Sequence, residues 1–212
     1  MRITHGFEQG ELSPGRVELI IWLLALTTFA YVSLSVSLSP LLISIAKTFD
    51  VSESAVGQLA TVQGVVGTIS ALVSAPWMGR FSRRSWLRAE LLLLCAGVLL
   101  AALAPVFAVM VLARVITGIA AGALVANCFM AAGEVVTESR RQGRAVGIVA
   151  SGTTIATMLG LPAVAWLNDL LGWRIALACL LVPMLICLAG TSLLPVGAKT
   201  RAGADAHGEE ID

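Results

Sequence analysis

The chain has 212 residues, of which 58% are hydrophobic and 13% charged, with a mean hydropathy of +0.90 and a formal net charge of +1. A soluble domain must cover itself with polar groups, so a hydropathy this high excludes one. The near-neutral charge removes the electrostatic footprint of a nucleic-acid binder. Charges confined to a few hinges and both tails indicate a polytopic helical protein whose solvent is the lipid bilayer.

Residues 1–16 read as a polar tail, too polar for a cleavable signal peptide, and the apolar run that follows is too long for a signal h-region. That run, 17–45, is the first expected span and ends near Ser39-Pro40 or a turn beyond. After a polar stretch at 47–53, the second span covers 54–78, with Asp50 or Ser52 placed to cap its start. A basic hinge follows, in which Arg80, Arg83, Arg84 and Arg88 stand against one acid, Glu90. The apolar tract 91–133, broken only by Arg114, is about twice a bilayer's hydrocarbon thickness at ~1.5 Å per residue. It must therefore fold back, and Ala104-Pro105 is the turn, giving spans three and four. Spans five and six cover 145–167 and 175–195, before a polar tail at 196–212. The expected organisation is a tail at 1–16, a six-helix transmembrane domain at 17–195 and a tail at 196–212. A membrane barrel is excluded, because the runs are too long and lack period-two alternation.

Lys and Arg set the orientation. With the N-terminus inside, the inner segments hold two, four, three and two of the fourteen, and the outer segments only Lys47 and Arg174. Both termini are expected in the cytoplasm. Small residues recur at about four-residue spacing in span two (Gly67, Ala71, Ala75), span four (Gly118, Gly122, Ala126) and span five (Gly152, Ala156, Gly160). They read as packing faces where helix backbones approach. The four cysteines all fall in apolar runs without a CxxC pair and read as small buried hydrophobes. His5 and His207 match no metal spacing, so neither a metal nor a cofactor is expected.

Arg114 lies within the membrane, roughly 12 Å below the outer surface, and a mid-span arginine usually faces a cavity or a partner. Its other reading is structural, snorkelling or bonding backbone carbonyls. Thr117 and Ala121 share its helical face, while Asn127 points the other way. In span one Thr27, Tyr31, Ser35 and Ser39 recur every four residues. Such a hydroxyl stripe either lines a polar path or bonds its own helix. Gln58, Gln63, Thr153, Thr154 and Thr157 are weaker candidates of the same kind. The spans contain no His, Lys or Asp from which an intramembrane enzyme could be built, and no acid for a proton pump.

The stretch A75-P-W-M-G-R-F-S-R-R84 resembles the G-x-L-x-D-R-x-G-R-R loop signature of the major facilitator superfamily, matching at Arg80, Arg83 and Arg84. Three marked positions differ, with Ala75, Gly79 and Ser82 in place of Gly, Asp and Gly. L112-A-R-V-I-T-G-I-A-A-G122 resembles the fourth-helix R-x-x-x-G motif, and G160-L-P-A…L-G-W-R174 the fifth-helix Gly/Pro region and the start of helix six. The last is similar to exporters of the drug, sugar and nucleoside type resembling arabinose efflux permeases. The resemblance implies an all-α membrane fold of six helices in two inverted three-helix repeats, half of a major-facilitator fold. It implies proton-coupled efflux of a small-molecule substrate by alternating access, in the inner membrane of a bacterium. The binding residues would be Arg114, Thr117, Thr27, Tyr31 and Ser35. Arg80, Arg83, Arg84 and Glu134 would form the gate, with Arg83 pairing to Glu134 and joining helices two and four. The family has two such halves, so a second six-helix half, as a separate chain or a missing segment, is the expected partner. The alternative is a non-transporting helical module serving as an assembly or regulatory subunit.

Overall fold

The computed structural model describes residues 14–77, 82–136 and 139–194. They form helices α1 (Pro14–Val36), α2 (Leu38–Phe49), α3 (Glu53–Ser74), α4 (Arg83–Ala102), α5 (Phe107–Val135), α6 (Ser139–Ile155), α7 (Leu161–Leu171), α8 (Trp173–Cys179) and α9 (Leu181–Gly190). Six spans among the described residues are long and apolar enough to cross a membrane: Gly15–Val36, Glu53–Trp77, Arg83–Ala102, Phe107–Val135, Arg141–Leu171 and Trp173–Leu193.

The helical run of the first span continues beyond Val36 as α2, past Pro40. Proline removes one N–H from the ladder, yet bonds from Ser37 N–H to Ser33 (3.0 Å) and from Leu41 N–H to Ser37 (3.4 Å) carry the helix through the junction. It stops at Asp50, whose left-handed backbone (φ 53) turns the chain. Ser52 then caps α3 by accepting the Ala55 N–H at 3.2 Å. The fifth span carries a π-helical turn, Ala156–Gly160, immediately before Leu161-Pro162, where proline withdraws a donor and the ladder widens.

The third span departs from expectation. It begins at Arg83 rather than near residue 91, because Ser82 caps α4 by accepting the Ser85 N–H at 3.3 Å. Arg83, Arg84, Arg88 and Glu90 are therefore helical rather than part of a loop. An acid does lie within a span: Glu90 stands two turns into α4 and is buried.

Span two packs along span four, and span five along span one; span three lies against four and six. The close approaches follow the same scheme. A Cβ on Gly122 would stand 2.7 Å from Ala71 N and Gly67 O, and one on Gly118 2.9 Å from Gln63 O. Across the bundle, Gly152 lies against the Ala25 carbonyl and Gly160 against Ser33. Exchanging spans one to three with four to six maps the first set of contacts onto the second, and three crossings being odd, the second repeat runs inverted. At the end away from the hinge, Trp173 donates to Thr48 Oγ1 at 2.9 Å and packs its ring at a tilt against Phe49, which meets Phe107 edge-on. Arg174 lies 4.7 Å over the Trp173 ring and donates to the Ala104 carbonyl at 2.7 Å, tying span six to the turn after span three.

Because a backbone cannot give way, Gly122→Ala should cost about 1–3 kcal/mol. Gly64→Ala, where nothing lies within 4 Å, should be neutral or mildly stabilising. Detergent-titrated unfolding of the two variants checks the contrast.

Candidate functional site

Two polar clusters interrupt the apolar interior, one within the bundle and one at its hinge end. In the first, Arg114 on α5 is 2% exposed and donates through Nη1 to Gln63 Oε1 on α3 at 2.9 Å. Gln63 Nε2 reaches Ser35 Oγ on α1 at 3.4 Å. The guanidinium is otherwise unsatisfied: Nε and Nη2 have no partner among the described residues. No carboxylate is within ion-pairing distance of it among those residues. A buried cation without a counter-charge is costly, so the arrangement is suited to receive an acceptor. Gln63, which holds Arg114, lines an open hollow of roughly 430 Å³ whose walls include Tyr31 and Ser35 of α1, Gly67 and Thr68 of α3, and Ala121 and Gly122 of α5.

The expected stripe divides. Tyr31 and Ser35 line the hollow, but Thr27 faces a narrow cleft among α1, α4 and α9 beside Leu87 and Cys187, and its hydroxyl bonds the Leu23 carbonyl at 2.8 Å. Each four-residue step overshoots a 3.6-residue turn by ~40°, so Thr27 stands ~80° round from Ser35. Thr117 also turns away: its methyl faces Gly97 of α4, and its hydroxyl bonds the Arg114 carbonyl at 3.1 Å. Ala121, one turn on, reaches the hollow instead. Thr153 and Thr157 bond their own helix, at 2.7 and 2.8 Å. Gln63, a minor candidate from sequence, is the residue that links the wall to Arg114.

In the second cluster Arg83, 8% exposed, forms a two-pronged pair with Glu134: Nη2 to Oε1 at 2.5 Å and Nε to Oε2 at 3.4 Å. Its third nitrogen, Nη1, donates to Asn127 Oδ1 at 3.0 Å. Asn127 Nδ2 donates to both oxygens of Glu90 at 3.0 and 3.1 Å, and Trp86 Nε1 donates to Glu90 Oε1 at 2.9 Å. Since Arg83 opens α4, the pair joins spans three and four, not two and four as expected. Arg84 is not part of this cluster; its side chain is half-buried, and its Nε has no partner among the described residues. Arg88 Nε donates to Thr191 Oγ1 at 2.9 Å, and Arg80 lies outside the described residues. Asn127 and Glu90 were not legible as a pair, though their spacings (seven residues from Glu134 and from Arg83) put them on matching faces.

Six spans in two three-helix repeats, with an open hollow whose wall residue Gln63 holds a buried arginine, define half of a membrane-transporter fold. The sequence profile of the Major Facilitator Superfamily matches residues 23–210, and the chain belongs to that family. It is similar to the chloramphenicol efflux pump Rv0191 of Mycobacterium tuberculosis, with 31% identity over 164 residues, 77% of this chain and 40% of that one. The inner membrane transport protein YdhP of Escherichia coli is 32% identical over 156 residues, 73% of this chain and 40% of that one. In fold alone it matches the inward-open xylose transporter XylE from E. coli, with a TM-score of 0.75 at 18% identity, covering 91% of this chain and 51% of that one. The chain spans about two fifths of the length of these curated relatives.

Arg83→Ala strands the buried Asn127 carbonyl as well as Glu134, and should cost about 1–3 kcal/mol. Glu134, 32% exposed, loses less on truncation, and the double variant should fall short of the sum of the two. A double-mutant cycle by equilibrium unfolding measures this.

Proposed function

We propose that this chain is one six-helix half of a bacterial inner-membrane exporter that moves small polar or amphipathic solutes by alternating access, coupled to protons and without chemical change to the solute. The observation that carries the reading is Arg114: buried, short of acceptors, and tied through Gln63 to Ser35 on the wall of the hollow. An anionic or carbonyl-bearing part of the solute would supply the missing acceptor, with Tyr31 and Ser35 as neighbouring polar contacts. Thr27 and Thr117 would act from behind the wall, as supports of α1 and α5. Arg83 and Glu134 would close the hinge end in one conformation and part in the other, with Arg80 and Arg84 of the same basic stretch.

The hollow is open on one side, and the relatives are longer than this chain, which supports a second six-helix half as partner. Two copies of this chain would bring two Arg114 guanidinium groups towards one cavity, so a distinct half carrying an acid fits better than a homodimer. The efflux-pump relative favours transport over a non-transporting regulatory module.

Arg114→Lys keeps a point charge but loses the planar fork. Assembled with its second half in membrane vesicles, that variant should insert normally and lose on the order of tenfold or more in solute flux. Wild-type flux would return Arg114 to a structural role. The excess of Lys and Arg at the hinge end supports an orientation with both termini in the cytoplasm. Reporter fusions after Leu12 and at His207 should both read cytoplasmic, and an external signal at either would overturn the orientation.

A further inference from the structure

The hinge-end cluster is built as two facing stripes. Arg83, Trp86 and Glu90 share one face of α4; Asn127, Met130 and Glu134 share one face of α5. The helices are antiparallel neighbours, so Arg83 meets Glu134 while Glu90 meets Asn127. Two nitrogens of the Arg83 guanidinium, Nε and Nη2, donate to Glu134, and what holds the third, Nη1, decides how the group is aimed. Met130 Sδ, at 3.7 Å, is a weak acceptor. Asn127 Oδ1, at 3.0 Å, is the strong one.

An asparagine amide has one accepting end and two donors, and nothing in the residue itself chooses which end faces the arginine. Glu90 makes that choice. As a carboxylate it only accepts, and both its oxygens take Asn127 Nδ2 while Trp86 donates to Oε1. With Nδ2 committed, Oδ1 must face Arg83. A flipped amide would set Nδ2–H against the Nη1–H of Arg83 and Oδ1 against the Glu90 oxygens, two repulsive contacts in place of two attractive ones. Both Glu90 and Asn127 are buried, 6% and 1% exposed, so solvent does little to soften the difference.

We propose that Glu90 and Asn127 are positioning residues of the Arg83–Glu134 pair: Glu90 fixes the Asn127 amide, and Asn127 aims Arg83 at Glu134. The functional consequence rests on the reading of that pair as a gate; the positioning itself does not. A purely structural tie between α4 and α5 would lower stability when removed and leave the coupling between Arg83 and Glu134 untouched. A positioning role must change that coupling.

The test is the coupling between Arg83→Ala and Glu134→Ala, measured by detergent-titrated equilibrium unfolding of the full chain in four backgrounds: parent, Asn127→Leu, Glu90→Leu and Glu90→Gln. In the parent the coupling should be on the order of fivefold or more in the unfolding equilibrium. It should fall to within about twofold of none in Asn127→Leu and Glu90→Leu. Glu90→Gln keeps one oxygen for Trp86 and Asn127 but turns an –NH2 towards Asn127, so it should retain part of the coupling. Parental coupling in the leucine backgrounds, or none in the parent, overturns the inference. Should the leucine variants not be recovered folded, the near-isosteric Glu90→Gln decides, and an unchanged coupling there overturns it equally. Solute flux in Arg83→Ala tests the gate separately, so the two failures are distinguishable.

Discussion

Helices in a bilayer gain little hydrophobic free energy by meeting one another, because lipid tails are as apolar as the side chains they would replace. What brings these spans together is backbone approach at small residues. Gly118 and Gly122 let α5 settle onto α3, and Gly152 and Gly160 let the fifth span settle onto the first. The contacts are close enough that a Cβ would strike main-chain atoms or a serine side chain. The rest of the architecture depends on this. Only with α3 drawn onto α5 does Gln63 come within reach of Arg114, and the wall of the hollow is the seam these approaches leave beside α1.

Polar groups inside such a bundle must find partners within it. Most hydroxyls here do so on their own helix, Thr27, Thr153 and Thr157 among them. The hinge-end cluster solves the same problem between helices, with donors and acceptors matched from Trp86 through Glu90, Asn127 and Arg83 to Glu134. Arg114 differs: two of its three nitrogens lack a partner among the described residues. Among the described residues one cluster is complete and the other is not.

Much of this was legible beforehand. Hydropathy and length alone gave six spans and the turn at Ala104-Pro105, and the four-residue spacing of small residues marked the packing faces at the glycines, though Ala75 and Ala126 at the ends of two stripes are exposed. Arg83 and Glu134 were paired in advance through the family signature. Boundaries were less legible, because hydropathy measures where charge stops rather than where a helix starts. Ser82 starts α4 two turns earlier than the apolar run does, carrying Glu90 into the membrane span. The hydroxyl stripe of α1 failed as a unit for a geometric reason, the drift of a four-residue repeat around a 3.6-residue helix.

The sequence by itself determined the solvent, the number of crossings and the residue types available for chemistry, since those follow from composition, run length and spacing along one helix. It could not decide which polar residues on different helices would meet. Thr117 was placed on the face of Arg114, yet it turns to Gly97, while Gln63, 51 residues away, takes the guanidinium. Asn127 and Glu90 are 37 residues apart and meet only because α4 and α5 run antiparallel in one register. Contacts of that kind depend on the rotation and depth of each helix against its neighbour. Side-chain packing at the glycine faces sets both, and only the assembled bundle contains it.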